Sequence, residues 1–229
     1  MSIDYKLTET YENYLEAIYN MRDEASATGQ KIINARLADR LGLKPPTVSQ
    51  TLQRMSRDGL VKIDGEIALT KQGHEVAEAS IRRHRIIERF MSDILGIEWA
   101  VAHREAERLQ HSISPLIEDK MLAALGHPTA CPHGNPIPGM MSTKLPPEAI
   151  TLDNTQPNQL VEILRITEEG ERDPRLLDYL QKQQLIPGAR ITVQEVVEYT
   201  GVVTFTKGDK SIALGLKAAR TIWVKPVEK

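Results

Sequence analysis

Lys44-Pro45-Pro46-Thr47-Val48-Ser49-Gln50-Thr51-Leu52-Gln53-Arg54-Met55-Ser56-Arg57-Asp58-Gly59 is the stretch on which the reading of this chain turns. Proline is tolerated in the first turn of a helix, where its missing N–H has no partner to lose. Val48, Leu52 and Met55 then recur on one face, leaving Thr47, Ser49, Gln50, Gln53, Arg54 and Arg57 outward. Asp58-Gly59 ends the helix. Upstream, 33–41 reads as a short helix stopped by Gly42, and Tyr14, Leu15, Ile18, Tyr19 and Met21 share one face of an earlier one. Downstream, 60–63 and 66–69 flank Asp64-Gly65, the strongest short-range hairpin signal.

Helix, short helix, tight turn, helix and two-stranded wing follow one another in the order of a winged helix-turn-helix. The outward face of the third helix suits the DNA major groove. Ser49 and Gln50 can hydrogen-bond base edges, the Thr47 methyl can touch thymine, and Lys44, Arg54 and Arg57 can hold phosphate, with Pro46 at the entry. Arg36, Arg40, Lys44, Arg54, Arg57 and Lys62 face only Asp39 and Asp58 in this stretch, a local positive field. The whole chain, at net charge −2, has no general basic coat.

The remaining composition bounds the answer. A chain of 229 residues makes one large or two to three small domains. With 41% hydrophobic and 26% charged residues it is an ordinary globular protein. The single cysteine, Cys131, cannot make an internal disulfide, which points to a reducing cytoplasm. No apolar stretch approaches the roughly 20 residues of a membrane helix, and Asp4, Lys6, Glu9 and Glu12 make the N-terminus too polar for a signal peptide. A zone at 127–147 rich in Pro and Gly separates a helical part from a β-rich one. Beyond it, 160–166, 190–198, 202–206, 211–216 and 221–224 read as strands and 174–183 as a helix.

Past the wing, 72–94 reads as one long helix with His84 and Glu88 stacked four residues apart. A following helix over 99–113 carries His103, Glu107 and His111 as a continuous stripe, with Gln110 beside it. Imidazole and carboxylate at this spacing suit a divalent first-row metal, although charged helices also produce such pairs as surface salt links. His127, Cys131 and His133 form a separate group. Cys-x-His in a Pro/Gly loop could be half a zinc site, but no second cysteine pair completes it. No serine–histidine–aspartate arrangement, phosphate loop or HExxH pattern is present, so the sequence points away from an enzyme and from a small-molecule substrate.

The segment 44–61, the segment from Arg83-His84-Arg85 to Gly96, and Gly134-Asn135-Pro136-Ile137-Pro138-Gly139 together resemble the iron-dependent repressor family, of the diphtheria toxin repressor and manganese transport regulator type. The resemblance is strongest in the first 140 residues, and the C-terminal part is similar to the small FeoA-like barrel of longer members. It implies a homodimeric, metal-activated repressor of metal-uptake genes that binds double-stranded operator DNA. His84, Glu88 and His103 then match the family's ancillary metal site. In its primary site His111 matches the histidine ligand, Asn13 stands where methionine or aspartate is usual, Glu107 where cysteine or glutamate stands, and Gln110 where glutamate is expected. Asp173 falls near an acidic barrel ligand, with Leu176 in place of its polar neighbour. An oxygen and nitrogen donor set of this kind suits manganese or ferrous iron.

The expected architecture is mainly α with α+β parts: a winged helix-turn-helix domain at 1–73, a helical metal-binding and dimerisation domain at 74–140, and a Pro-rich linker with a small β barrel at 141–229. A two-fold dimer would cover Ile94, Leu95, Ile97, Trp99, Leu116, Ile117, Met121 and Leu122. The competing reading is a winged-helix regulator that senses a small ligand or redox state, with Cys131 as the sensor and the His/Glu stripes as salt links.

Overall fold

The computed structural model describes residues 8–140 and 145–227, so Asp4 and Lys6 of the polar N-terminus lie outside it. The chain forms two compact units, residues 1–83 and 84–229.

In the first unit, α1 (Glu9–Thr28), α2 (Asn34–Leu41) and α3 (Pro45–Arg57) are followed by β1 (Val61–Ile63) and β2 (Ile67–Leu69). The spacing that suggested α3 does bury Val48, Leu52 and Met55. They pack with Leu15, Ile18, Met21, Leu37, Leu60, Val61 and Ile67 in one core. Gly42 ends α2 in the left-handed region at φ 65, where its N–H reaches the Ala38 and Asp39 carbonyls. The wing pairs Val61 with Leu69 and Ile63 with Ile67, and the Ile67 N–H bonds the Ile32 carbonyl at 2.8 Å. Lys44, Pro46, Thr47, Gln50, Arg54 and Arg57 are exposed on α3 and Ser49 is half-buried. Tyr11 Oη donates to Asp58 Oδ2 at 3.0 Å, tying α1 to the end of α3.

Helix α4 (Lys71–Asp93) runs through the division between the units. In the second unit it is followed by α5 (Trp99–Leu109) and α6 (Pro115–Ala124). The expected helix over 99–113 stops at Leu109, and Pro115, which disfavours the helical conformation at Ser114, starts the next helix. Ser114 instead caps α6, accepting from the Ile117 N–H at 3.4 Å. His111 therefore sits beyond α5 and does not extend the His103–Glu107 stripe.

The β-rich part is a six-stranded antiparallel sheet in the order β3-β8-β4-β5-β6-β7. Its strands are β3 (Ile150–Thr151), β4 (Leu160–Ile166), β5 (Arg190–Val197), β6 (Val202–Lys207), β7 (Lys210–Gly215) and β8 (Ile222–Pro226), with α7 (Glu168–Glu171), α8 (Pro174–Lys182) and α9 (Leu216–Ala219) between them. Alternation along β4, β5 and β6 buries Val161, Ile163, Ile191, Val193, Val203 and Phe205 against Leu177 and Leu180 of α8. Sequence reading missed β3, α7 and α9, which are too short to show a period.

Trp99 belongs to this sheet core and not to an open face. Its N–H also donates to Gln181 Oε1 at 2.9 Å. Leu122 is likewise taken, packed with Ile86 and Ile137. Of the expected dimer-facing set, Ile94, Leu95, Leu116 and Ile117 are the ones left exposed.

Trp99→Ala should lower the unfolding free energy of the full chain by about 3–5 kcal/mol, the usual cost of deleting a buried tryptophan, whereas Gln181→Ala should cost only about 1 kcal/mol. Urea unfolding followed by circular dichroism reads both, and equal small losses would mean that Trp99 does not anchor the sheet.

Candidate metal centre

Four pieces of chain meet in the interior of the second unit. Helix α4 supplies His84 and Glu88 one turn apart, and α5 supplies His103. The loop before residue 140 supplies Cys131 and His133, and α7 supplies Glu171. All six are buried, with Glu88 and His133 at 0% exposure. Glu88 Oε1 lies 2.9 Å from His103 Nδ1, 3.4 Å from His133 Nδ1 and 3.8 Å from His84 Nε2. Glu171 Oε1 lies 3.1 Å from His133 Nδ1 and 3.9 Å from Cys131 Sγ.

Local sequence explains how the loop reaches this place. Ala130 and Pro136 bridge, and the Gly134 N–H bonds the Cys131 carbonyl at 3.0 Å to close a tight turn. Gly134 sits at φ +87, where an added Cβ would lie 2.3 Å from the Leu164 carbonyl oxygen. Only glycine lets the loop come this close to β4. The Ile166 N–H then bonds the His133 carbonyl at 2.8 Å. Asn135 Nδ2 donates to the Ile166 carbonyl at 2.7 Å and to Glu171 Oε1 at 2.5 Å. The Gly-Asn-Pro-Ile-Pro-Gly motif is thus a clamp between loop, strand and ligand.

Two further contacts fix the ligands. His84 Nδ1 donates to Gln110 Oε1 at 2.7 Å, which turns the Nε2 lone pair towards Glu88 and His103. Arg85 donates to Glu168 and to the Pro136 carbonyl, pinning the loop and α7 to α4. The Trp99 ring meets His133 edge-on at 4.6 Å and walls off one side.

The electrostatics are those of a site short of positive charge. Burial alone would raise the Glu88 carboxyl, but the positive charge of His133 and the hydrogen bond with His103 bring it well below the usual range. Burial opposes the charged forms of His133 and His103, yet the carboxylates around them hold both imidazoles above their ordinary values. Burial, with Glu171 and Glu88 nearby, pushes the Cys131 thiol up to about 12. Burial and Glu168 raise the Glu171 carboxyl.

Glu88 Oε2 and both ring nitrogens of His133 have no aligned hydrogen bond among the described residues. Buried polar atoms are nearly always paired, and Glu88 Oε2 and one ring nitrogen of a neutral His133 are available as metal donors. Glu88, Cys131, His133 and Glu171 form one group whose ligand atoms lie within 4.8 Å of one another, and His84, Glu88 and His103 form another. Nitrogen, carboxylate oxygen and thiolate fit a divalent first-row ion.

Not every candidate from sequence joins this cluster. His84, Glu88 and His103 do. Glu107 is largely exposed, 3.8 Å from His103 Nε2. Gln110 sits behind His84 as its hydrogen-bond partner and also approaches His111 Nε2 at 3.3 Å. Asn13 is exposed on α1 in the first unit. Asp173 is exposed and caps α8, accepting from the Arg175 and Leu176 N–H groups, while the half-buried Leu176 packs on the sheet core. The carboxylate that reaches the cluster is Glu171, two residues earlier. His127 is exposed and apart, but Cys131 and His133, set aside for want of a second cysteine pair, are central. Their missing partners, Glu88 and Glu171, come from distant segments that local spacing cannot show.

A winged helix joined to such a centre is the architecture of a metal-dependent DNA-binding repressor. The chain belongs to the iron-dependent repressor family. Residues 6–69 match that family's N-terminal DNA binding domain, 70–139 its metal binding and dimerisation domain, and 150–226 the FeoA domain. It is 34% identical to the iron-dependent repressor IdeR of Mycobacterium tuberculosis, over 97% of this chain and 99% of the relative. It is 32% identical to the diphtheria toxin repressor of Corynebacterium diphtheriae, over 96% and 98%. A solved manganese-dependent transcriptional repressor in complex with manganese superposes with TM-score 0.81 at 30% identity, covering 95% of this chain and 100% of that one. These relatives are repressors and not enzymes. Among the described residues no helix is long and apolar enough to cross a membrane.

Burial opposes ionisation of Glu168, but Arg85 holds its carboxyl down to about 2. Glu168→Gln should therefore cost about 3 kcal/mol of stability at neutral pH, the low end for breaking a buried ion pair. The depressed carboxyl contributes stability that is complete above the ordinary glutamate value of about 4.3 and fades as pH falls towards 2. The difference in unfolding free energy between the two proteins should follow that course in denaturation series at stepped pH. A constant difference would show that the carboxylate charge is irrelevant.

Proposed function

We propose that this chain is a cytoplasmic, homodimeric repressor that senses ferrous or manganous ion through the buried cluster and releases or grips operator DNA of metal-uptake genes accordingly. The observation that carries the reading is the cluster itself: two carboxylates, three imidazoles and a thiol from four separate segments, with unpaired donor atoms at full burial. The expectation of a donor set without sulfur gives way to one that includes Cys131, which weights the choice towards ferrous over manganous ion.

An ion bound there supplies the positive charge that lets buried carboxylates, thiolate and neutral imidazoles share one place. His84 and Glu88 hold α4, His103 holds α5, and Cys131, His133 and Glu171 hold the loop and α7. Side chains drawn to one point fix the angles among these elements, and only a difference in affinity between two arrangements shifts their balance. Gln110 keeps His84 in the ligating tautomer. Within the second unit, Glu107 and His111 remain the candidates for a second, weaker site. Lys44, Pro46, Thr47, Ser49, Gln50, Arg54 and Arg57 form the proposed DNA face of α3. Ile94, Leu95, Leu116 and Ile117, apolar and exposed beside the dimerisation-domain helices, support a dimer through that domain. A redox sensor at Cys131 is the poorer reading, because a buried thiol pushed up to about 12 is not a reactive thiolate.

With an operator selected from random DNA, adding ferrous or manganous ion should produce retardation of the DNA by the native chain. His84→Ala and Glu88→Ala should each lower the metal-dependent part on the order of tenfold or more, with metal-free DNA affinity unchanged. Retardation indifferent to metal, or equal in both variants, would refute the sensor. On the DNA side, Gln50→Ala should cost about 1–3 kcal/mol at one base position, while Arg57→Ala should weaken all sequences alike and reduce the salt slope by about one. Binding isotherms at several salt concentrations separate these, and no effect from either change would remove α3 from the groove.

A further inference from the structure

The turn that leaves α3 for the wing is held from two sides. Asp58 and Gly59 form it, with Gly59 at φ 74 and the Leu60 N–H returning to the Met55 carbonyl at 2.9 Å. From α1, the Tyr11 hydroxyl donates to Asp58 Oδ2 at 3.0 Å, across 47 residues of chain. Partial burial and the Asp58 carboxylate raise the Tyr11 phenol above its ordinary value, so it stays a proton donor at neutral pH. From the residue before α4, the Thr70 hydroxyl donates to the Gly59 carbonyl at 2.6 Å and lies 3.1 Å from the Leu60 carbonyl. The Thr70 N–H bonds that same Leu60 carbonyl at 3.0 Å, and Thr70 Oγ1 accepts from the Gly73 N–H at 3.0 Å. A Cβ on Gly73 would overlap the Leu60 carbonyl oxygen, so α4 begins in direct contact with the turn.

These bonds do what apolar packing cannot. Helix α3 is 13 residues long and is buried through Val48, Leu52 and Met55. Hydrophobic burial is non-directional, so it keeps the helix on the core without fixing its tilt or its slide. A side chain that hydrogen-bonds a base edge must be held to within about 0.5 Å and 10–20°. Hydrogen bonds have that directionality. Tyr11 is half-buried and packs on the same core as α3, which anchors its ring and makes its hydroxyl a fixed stop. Neither Tyr11 nor Thr70 lies on α3, and neither carries a charge with which to hold phosphate. We propose that Tyr11 and Thr70 are positioning residues for operator recognition, which lock the Asp58-Gly59 turn and thereby set the orientation in which α3 presents Gln50 to the bases. A loosened turn lets α3 drift by amounts that long, flexible arginines on phosphate tolerate and a base-edge contact does not.

This inference rests on α3 being the DNA face, and Gln50→Ala, measured alongside, keeps the two apart. The full chain in saturating manganous ion is titrated against its selected operator and against a scrambled duplex at several salt concentrations, and thermal unfolding checks that each variant is folded. Tyr11→Phe and Thr70→Val should each lower operator affinity about two- to tenfold, the usual worth of one hydrogen bond. Affinity for the scrambled duplex and the salt slope should stay as in the native chain, because no phosphate contact is lost. Thr70→Ser, which keeps the hydroxyl, should restore native operator affinity. Asp58→Ala removes a negative charge and should raise affinity for both duplexes, and in its background Tyr11→Phe should have no further effect, since the bond it breaks is already gone. Equal losses on both duplexes with a flatter salt slope would place Tyr11 and Thr70 among the backbone contacts and overturn the positioning role. Unchanged operator affinity, with only the unfolding temperature lowered, overturns it as well, and a loss confined to Gln50→Ala leaves α3 standing without the clamp. No loss in any of the three overturns both. Tyr11→Phe removes a single oxygen at a half-buried position, so the decisive comparison survives even where Thr70→Val fails to fold.

Discussion

A carboxylate with no exposure to solvent is among the most expensive objects a protein interior can hold, and Glu88 is one. Its cost organises the second unit. Three imidazoles from three segments are drawn towards one of its oxygens, and the loop that brings His133 can do so only because Gly134 lets it approach β4. Asn135 and Arg85 then tie the same loop to α7 and α4. Without counter-charge this arrangement would be a liability. With it, the same groups become a recognition site whose assembly depends on cation supply.

The neighbouring residues show how ligand geometry is fixed at one remove. Gln110 touches no candidate ion position in the larger ligand group, yet it selects which nitrogen of His84 faces Glu88. Arg85 and Glu168 are an internal pair beside the cluster, and their mutual neutrality keeps an extra charge from competing with the ligands. The Thr167 hydroxyl caps α7 from the Gly170 N–H at 3.4 Å, so even the four-residue helix that carries Glu171 is held by its own sequence.

The winged helix was legible because its signals are local: proline at a helix start, an apolar face at Val48, Leu52 and Met55, and an Asp-Gly turn. His84 and Glu88 were legible for the same reason, one turn apart on one helix. His103 required knowing that α5 packs back on α4, which resemblance supplied and periodicity did not. Glu171 was missed by two residues, with Asp173 taken in its place, because α7 is a single turn with no period and both carboxylates fit a loosely placed motif. Cys131 and His133 were seen and discounted, since zinc-type spacing looks for partners along the chain. Here the partners lie 43 and 38 residues away in sequence, at Glu88 and Glu171 respectively. Long-range closure of that kind is a property of the fold and leaves no trace in spacing.

Trp99 belongs at once to the sheet core and to the wall beside His133. The dielectric environment of the cluster is therefore built partly from the apolar interior of the β-rich region. That region is consequently not an interchangeable attachment. A chain ending before β3 would retain His84, Glu88, His103, Cys131 and His133, but would lose Glu171, the partner of Arg85, and the dry side of the Trp99 ring together. What remained would be a different receptor, open to water and short of an anionic ligand, with its own scale of affinity.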